Sequence, residues 1–371
     1  MKNLGLYIHV PFCIRKCNYC DFYSINATDA NIAHYITNVK AAIENWSGKL
    51  RDRTIDTIYF GGGTPSILET KGLLEIVESI YDNFKIATDA EITAEVNPIT
   101  TERINFADLR SAGFNRISIG MQSSDNDELL ALGRLHSTSE VDKTIDSVIK
   151  GGITNFSLDV MLGIPLQTPD SLNNTLDYCI KSGASHISTY MLKIEKGTPF
   201  YNMQNTITFA DDDTQADFYE QTVCTLKSAG FRHYEISNFC KDDRISRHNM
   251  KYWELEDYLG VGPSAHSMVG NKRFFYPKDI NAFSEESIIF ESEGKSKEEF
   301  IMLSLRTDSG LNFKKYRDFF GEDIPDEMLQ EAILLSKHGL VIINSSNISL
   351  TEKGFLLSNT IISRILSKGI G

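Results

Sequence analysis

The sequence predicts an α/β fold, a full or partial β/α barrel followed by a small helical, winged-helix-like domain. Three observations predict it. Short β-rich runs alternate with longer segments of helical apolar spacing as far as Gly270, a rhythm that implies a parallel sheet. About six or seven such units point to a full or partial barrel. Beyond them the pattern changes to helices, two short apolar runs and a last helix.

Taken in order, the strand runs are Leu4–Val10, Thr57–Phe60, Glu91–Val96, Arg116–Met121, Phe156–Met161, His186–Leu192 and His233–Ile236. Between them Lys71–Tyr81, Val141–Lys150 and Ser171–Ser182 carry helical apolar spacing. Glycines punctuate the helix ends, as in Lys150-Gly151-Gly152, Ser182-Gly183 and Ala229-Gly230. The stretch Asn271–Lys295 is polar and irregular, and reads as a linker or a lid. From Ser296 helices are expected over Lys297–Arg306, Phe313–Phe320 and Glu327–His338. A hairpin of Leu340–Ile343 and Ile348–Leu350 follows, then a helix over Thr351–Leu366. The expected organisation is a barrel domain over 1–270, a linker or lid over 271–295, and a winged-helix-like domain over 296–371.

Bulk properties narrow the function. With 41% hydrophobic and 23% charged residues, the 371-residue chain has ample core for a globular protein. Its 37 basic and 50 acidic residues give a net charge of −13, which argues against an extended nucleic-acid surface. The winged-helix-like region, with nine Lys/Arg against ten Asp/Glu, lacks a cationic footprint too, so a structural or partner-docking role is expected. No apolar run is long enough for a membrane span, and Leu4–Val10 is too short for a signal peptide. A cytoplasmic protein with reduced cysteines is expected.

The chemistry centres on Cys13, Cys17 and Cys20, spaced C-x3-C-x2-C just after the first strand. Three close thiolates can hold one face of an iron–sulfur cluster and leave one iron open. Zinc or inert thiols remain alternatives on spacing alone, although Cys179, Cys224 and Cys240 are isolated and complete no paired C-x2-C site. Strand alternation sets Tyr7 and His9 on one face, and Glu95, Gln122 and Asp159 opposite apolar neighbours. Polar groups recurring near successive strand ends imply a polar ligand in the barrel mouth, where barrel enzymes carry their sites. The glycine-rich turn Gly61-Gly62-Gly63-Thr64 fits neither the Walker nor the dinucleotide-binding spacing, but its backbone can approach a ligand closely.

These motifs, with Tyr7-x-His-x-Pro-Phe-Cys13, Ala94-Glu-Val-Asn-Pro98 and Leu132-Gly-Arg-Leu-His136, resemble the radical S-adenosylmethionine (SAM) proteins. Within them the chain is similar to the oxygen-independent coproporphyrinogen III oxidase group, over nearly its whole length. The resemblance implies a radical-SAM partial barrel and a [4Fe–4S] cluster on Cys13, Cys17 and Cys20, with SAM on the open iron. It implies that Gly62, Gly63 and Thr64 meet the methionyl end of SAM, and that Glu95, Gln122, Arg134 and Asp159 line its site. Tyr7 and Tyr19 would wall it. Arg134 also has a charge rationale, because a guanidinium can pair with the SAM carboxylate.

Two functions exist in this group. The coproporphyrinogen dehydrogenases carry a further cysteine where this chain has Phe22, and a longer segment ahead of the cluster motif. His248-Asn-Met-Lys-Tyr252-Trp253 instead resembles the HNxxYW motif of the HemW-type haem chaperones. Alone, a histidine beside two aromatics reads as a core or loop residue. With the resemblance, His248 is expected to ligate haem, and His266 is a second candidate ligand or a hydrogen-bonding residue. The expected function is therefore transfer of haem to an acceptor protein, with an electron donor for the cluster. Coproporphyrinogen III dehydrogenase, or another radical-SAM reaction on a tetrapyrrole, is the alternative.

Overall fold

Twelve short stretches rich in β-branched and aromatic residues pair into one sheet in the computed structural model, which describes residues 2–369. In chain order they are β1 (Lys2–Val10), β2 (Arg53–Gly62), β3 (Lys85–Val96), β4 (Arg116–Gln122), β5 (Phe156–Leu162) and β6 (His186–Met191). Then come β7 (Arg232–Glu235), β8 (Asn238–Cys240), β9 (Tyr258–Val261), β10 (His266–Val269), β11 (Lys272–Phe275) and β12 (Ile289–Glu293). The order across the sheet is β12-β11-β10-β9-β1-β2-β3-β4-β5-β6-β8-β7. The seven central strands, β9 and β1 to β6, run parallel, so their C-terminal ends share one rim. Antiparallel strands extend both flanks.

Burial on both faces explains the near-continuous apolar runs of the central strands. In β1, Leu4, Leu6, Ile8 and Val10 are fully buried, and in β4 so are Ile117, Ile119 and Met121. Helices cover this side of the sheet. Asp29–Lys49 buries Tyr35, Val39 and Ile43, and Glu69–Asn83 buries Leu73, Ile76 and Ile80. Thr138–Lys150 opens with a capping box formed by Ser137 and Glu140. The other face of β1 and β2 meets helix Arg247–Trp253 through an ion pair. Lys251 Nζ lies 2.9 Å from Asp56 and 2.7 Å from Glu256, with only 4% of its side chain exposed.

The segment 271–295, expected as an irregular linker or lid, instead supplies β11 and β12 to the main sheet. Its strands are short and carry Lys272, Arg273, Glu291 and Glu293, a charge pattern suited to a sheet edge but easily read as loop. The remaining chain is helical and winged-helix-like: helices Lys297–Ser304, Phe313–Phe320, Asp326–Lys337, Glu352–Leu356 and Ser358–Leu366 surround a small three-stranded sheet. The single last helix expected is thus two, interrupted at Leu357. This region closes on β7. Ile236 N donates to Arg306 O, Asp308 N donates to Tyr234 O, and Arg232 pairs with Asp308 at 2.7 Å. No helix among the described residues is long and apolar enough to cross a membrane.

Candidate functional site

Because β1 ends at the common rim, the loop that follows it carries Cys13, Cys17 and Cys20 over the mouth of the sheet. All three line one cavity of about 480 Å³. Local bonds fix this loop. Cys20 N donates to Cys17 O, Ile25 N to Pro11 O, and Asn18 N to Leu132 O at 3.0 Å. Asn18 Nδ2 also donates to Ala131 O at 2.9 Å, and Phe200 N donates to Asn18 O. The loop is therefore tied to the turn that presents Arg134.

The glycine-rich turn after β2 runs against the cysteine loop. Gly63 N donates to Val10 O at 2.8 Å, and a Cβ on Gly63 would stand 2.6 Å from Phe12 O. Gly62 adopts φ +108°, and a Cβ there would press on the His9 ring at 2.7 Å. Only glycine meets both demands. Thr64 then brings its hydroxyl to 3.7 Å from Cys13 Sγ.

Gly62, Gly63, Thr64, Glu95, Gln122, Arg134, Asp159 and Tyr19 all line the same cavity as the cysteines. Glu95 accepts from the Tyr59 hydroxyl at 2.8 Å. Burial, with the nearby Asp159 charge, pushes its carboxyl up to about 7. Asp159 is raised by burial as well, although the Ser188 and Ser118 hydroxyls oppose the shift. Gln122 ends β4 with φ +72°, a left-handed conformation unusual for a side-chain-bearing residue. Arg134 donates from Nη2 to Gly120 O at 2.7 Å and from Nη1 to Cys17 Sγ at 3.5 Å. Its Nε is buried without a hydrogen-bond partner among the described residues. Burial raises the Tyr19 phenol above its ordinary range, opposed by the Arg134 charge.

Two expected site residues lie elsewhere. Tyr7 does not line the cavity: its hydroxyl meets His9 Nδ1 at 3.0 Å, and its ring lies behind Tyr59 at 6.2 Å. His248 is fully buried on the helix packed beneath β2. Its Nδ1 meets Thr57 Oγ1 and its Nε2 meets the Tyr252 hydroxyl, both at 2.8 Å. Its ring stacks on Tyr59 at 5.3 Å. Burial, and then Lys251, lowers the imidazole to about 3, so it is neutral. Both imidazole nitrogens are hydrogen-bonded to hydroxyls in this arrangement. The structure thus places His248 on the buried face of this short helix, beside Tyr252 of the same motif.

Sequence reasoning missed Tyr59 and Tyr190, which also line the cavity. Alternation could have found them, since Tyr190 lies in register with Met161 and two residues past Ser188, which pairs with Asp159. Asn18 gave no signal beyond its place between two cysteines.

The donor set can be tested against an iron–sulfur cluster. Three thiols face one cavity, yet no three His, Cys, Asp or Glu side chains among the described residues converge closely enough to hold a single metal ion. Three thiols lining one cavity match the ligand number of a cubane cluster with one iron left open. The unpartnered Arg134 donor and the half-buried acids supply complementary groups for a ligand carrying both a carboxylate and an amine.

Comparisons with known proteins agree with this layout. The radical SAM superfamily matches residues 7–179, and the HemN C-terminal domain matches residues 297–357. The heme chaperone HemW of Mycobacterium tuberculosis is 32% identical, over 98% of this chain and 95% of that relative. Its counterpart in Escherichia coli is 37% identical over 72% of this chain and 71% of its own, and that of Bacillus subtilis is 30% identical over 98% and 99%. Among solved structures, the coproporphyrinogen III oxidase HemN of Escherichia coli superposes with a TM-score of 0.83 at 22% identity, covering 98% of this chain and 90% of that one. That likeness speaks for the fold. End-to-end identity with the chaperones, on a radical SAM framework, places this chain in the HemW family of the radical SAM superfamily.

Proposed function

We propose that this protein is a haem chaperone of the cytoplasm, which binds haem and passes it to an acceptor protein. In this reading Cys13, Cys17 and Cys20 hold a [4Fe–4S] cluster, and SAM occupies the cavity beside it. The observation that carries the reading is the convergence of the three thiols with Thr64, Glu95, Gln122, Arg134 and Asp159 on one cavity, in a chain alignable with HemW relatives throughout. When bound, the cluster supplies an electron, received from a donor protein, and an open coordination site.

The chain's own groups do the binding. Arg134 would offer its guanidinium to the carboxylate of SAM. Glu95 and Asp159 would offer carboxyl groups to the SAM amine or sulfonium, and Gln122 would present a carboxamide from its left-handed backbone position. Tyr19 and Tyr59 supply flat walls. Tyr7 and His248 support Tyr59 from behind.

The test is anaerobic reconstitution of the full chain followed by haem titration and transfer to an apo-haem protein. Haem uptake and release to the acceptor are expected, while Cys13→Ser should lose iron and sulfide. Incubation with coproporphyrinogen III, SAM and reductant should give no vinyl product. Absence of haem uptake, or appreciable decarboxylation, would replace the chaperone reading with the dehydrogenase.

A further inference from the structure

A groove of about 910 Å³ runs between helices Asp29–Lys49 and Glu69–Asn83. It is larger than the cysteine-lined cavity and shares no residue with it. The two helices connect β1 to β2 and β2 to β3, three parallel neighbours, so they run in the same direction. On the first helix the lining extends from Asp29 to Glu44, and on the second from Glu69 to Asn83. Each stripe is therefore about 20 Å long, or roughly four turns. The floor is apolar. Ile67 and Leu68 are buried, Ile32 and Ile36 are half-buried, and Ala33 and Ala41 leave room above them.

The rim is acidic, and unevenly so. Asp29 and Glu69 stand in the first turns of their helices, where the macrodipole favours a carboxylate. Arg103 also lies 3.6 Å from Glu69, and Lys71 lies 3.9 Å from Glu75. Nothing comparable accounts for the acids at the other end. Glu44, Glu78 and Asp82 are exposed and make no ion pair among the described residues, and Lys40 is the one further base in the lining. Asp82 lies in the last turn of its helix, which holds no basic residue. The terminal carbonyls already concentrate negative potential there. Three carboxylates beside a helix C-terminus destabilise one another, and a cationic partner relieves them.

We propose that this groove docks a cationic amphipathic helix of a partner protein. Apolar side chains at i, i+3, i+4 and i+7 of that helix seat on Ile32, Ile36 and Leu68. Its Lys or Arg residues meet Glu44, Glu78 and Asp82 at the acidic end. A second copy of this chain is a poor occupant. Its cationic helix Phe313–Phe320 has Lys314, Lys315 and Arg317 each paired with an acid already. The groove lies outside the cysteine-lined site, so this inference stands independently of the haem-chaperone reading.

The experiment titrates the full-length protein into a fluorescent peptide of about 16 residues, long enough to fill the groove. The peptide carries leucine at the i, i+3, i+4, i+7 spacing and lysine elsewhere; a control replaces every lysine with glutamate. Anisotropy is read for the wild type, for the triple variant Glu44→Lys, Glu78→Lys, Asp82→Lys, and for Ala33→Trp. All these positions are exposed, so the variants should melt with the wild type. The wild type should bind the lysine peptide, less tightly at high salt, and ignore the glutamate peptide. The triple variant should weaken binding roughly tenfold or more. Ala33→Trp should weaken it as well by filling the groove, with no change of charge. Failure of the wild type to bind the lysine peptide would overturn the proposal, and so would full affinity in Ala33→Trp. A wild type that dimerises on its own, with the dimer lost in Ala33→Trp, would replace the partner helix with a second copy.

Discussion

Asn18, in the middle of the cysteine loop, lies against Gly133, so that a Cβ on that glycine would stand 3.1 Å from three atoms of the Asn18 side chain. Gly133 also adopts φ +75°. One contact thus joins the loop bearing the thiols to the turn bearing Arg134. Gly133→Ala should cost about 1–2 kcal/mol for the left-handed backbone alone, beyond the crowding of Asn18. Asn18→Ala removes the bond to Ala131 O and should cost about 1 kcal/mol. The double variant should be less destabilised than the sum, by roughly 0.5 kcal/mol or more. Denaturant titration of the four proteins measures it, and strict additivity would refute the contact.

Arg134→Lys should raise the dissociation constant for SAM by about 10–100-fold, because a point charge replaces a planar fork. Iron content should stay near that of the wild type. Calorimetric SAM titration with parallel iron assay separates the two; a protein that loses its iron along with SAM affinity would assign Arg134 to holding the loop.

Lys251→Ala leaves Asp56 of β2 buried and uncompensated. The expected loss is about 3–5 kcal/mol in global stability. A loss under 1 kcal/mol by chemical denaturation would show that water reaches the pair.

How much of this was readable from the chain depends on which forces act locally. Alternation along β3, β4 and β5 foretold that Glu95, Gln122 and Asp159 face one side, and the structure puts all three on the cavity. The same alternation placed Tyr7 on the correct face but not at the correct height, since the period of two says nothing about depth. His248 was legible as a residue and not as a position, because helix Arg247–Trp253 is only seven residues long and its orientation is set by Lys251, Asp56 and Glu91 from distant strands. The strands β11 and β12 escaped for a related reason: their pairing, not their composition, makes them strands.

The Glu235 carboxyl, buried in β7, is pushed by burial from an ordinary 4.5 up to about 7, although Ser237 N and Asn238 donate to it. Between those values the folded chain keeps a proton that the unfolded chain releases. The contribution of Glu235 to stability therefore falls as pH rises from about 4.5 to about 7 and is level on either side. Glu235→Gln should remove this share of the slope and leave that of Glu95, so the variant gains up to roughly 3 kcal/mol on the wild type across the window. Melts at pH 4.5, 6 and 8 test the sign; parallel curves for the two proteins would contradict it.

The closure of β7 by residues 306–308 has a consequence for the behaviour of many molecules together. Glu235 bridges Thr307, so one end of the twelve-stranded sheet is occupied by the chain itself. At the other end β12 has no further strand beside it among the described residues. A ribbon with a single free margin can join a second copy edge to edge, but the pair then has none left. Self-association through backbone pairing at this margin of the large sheet stops at two copies.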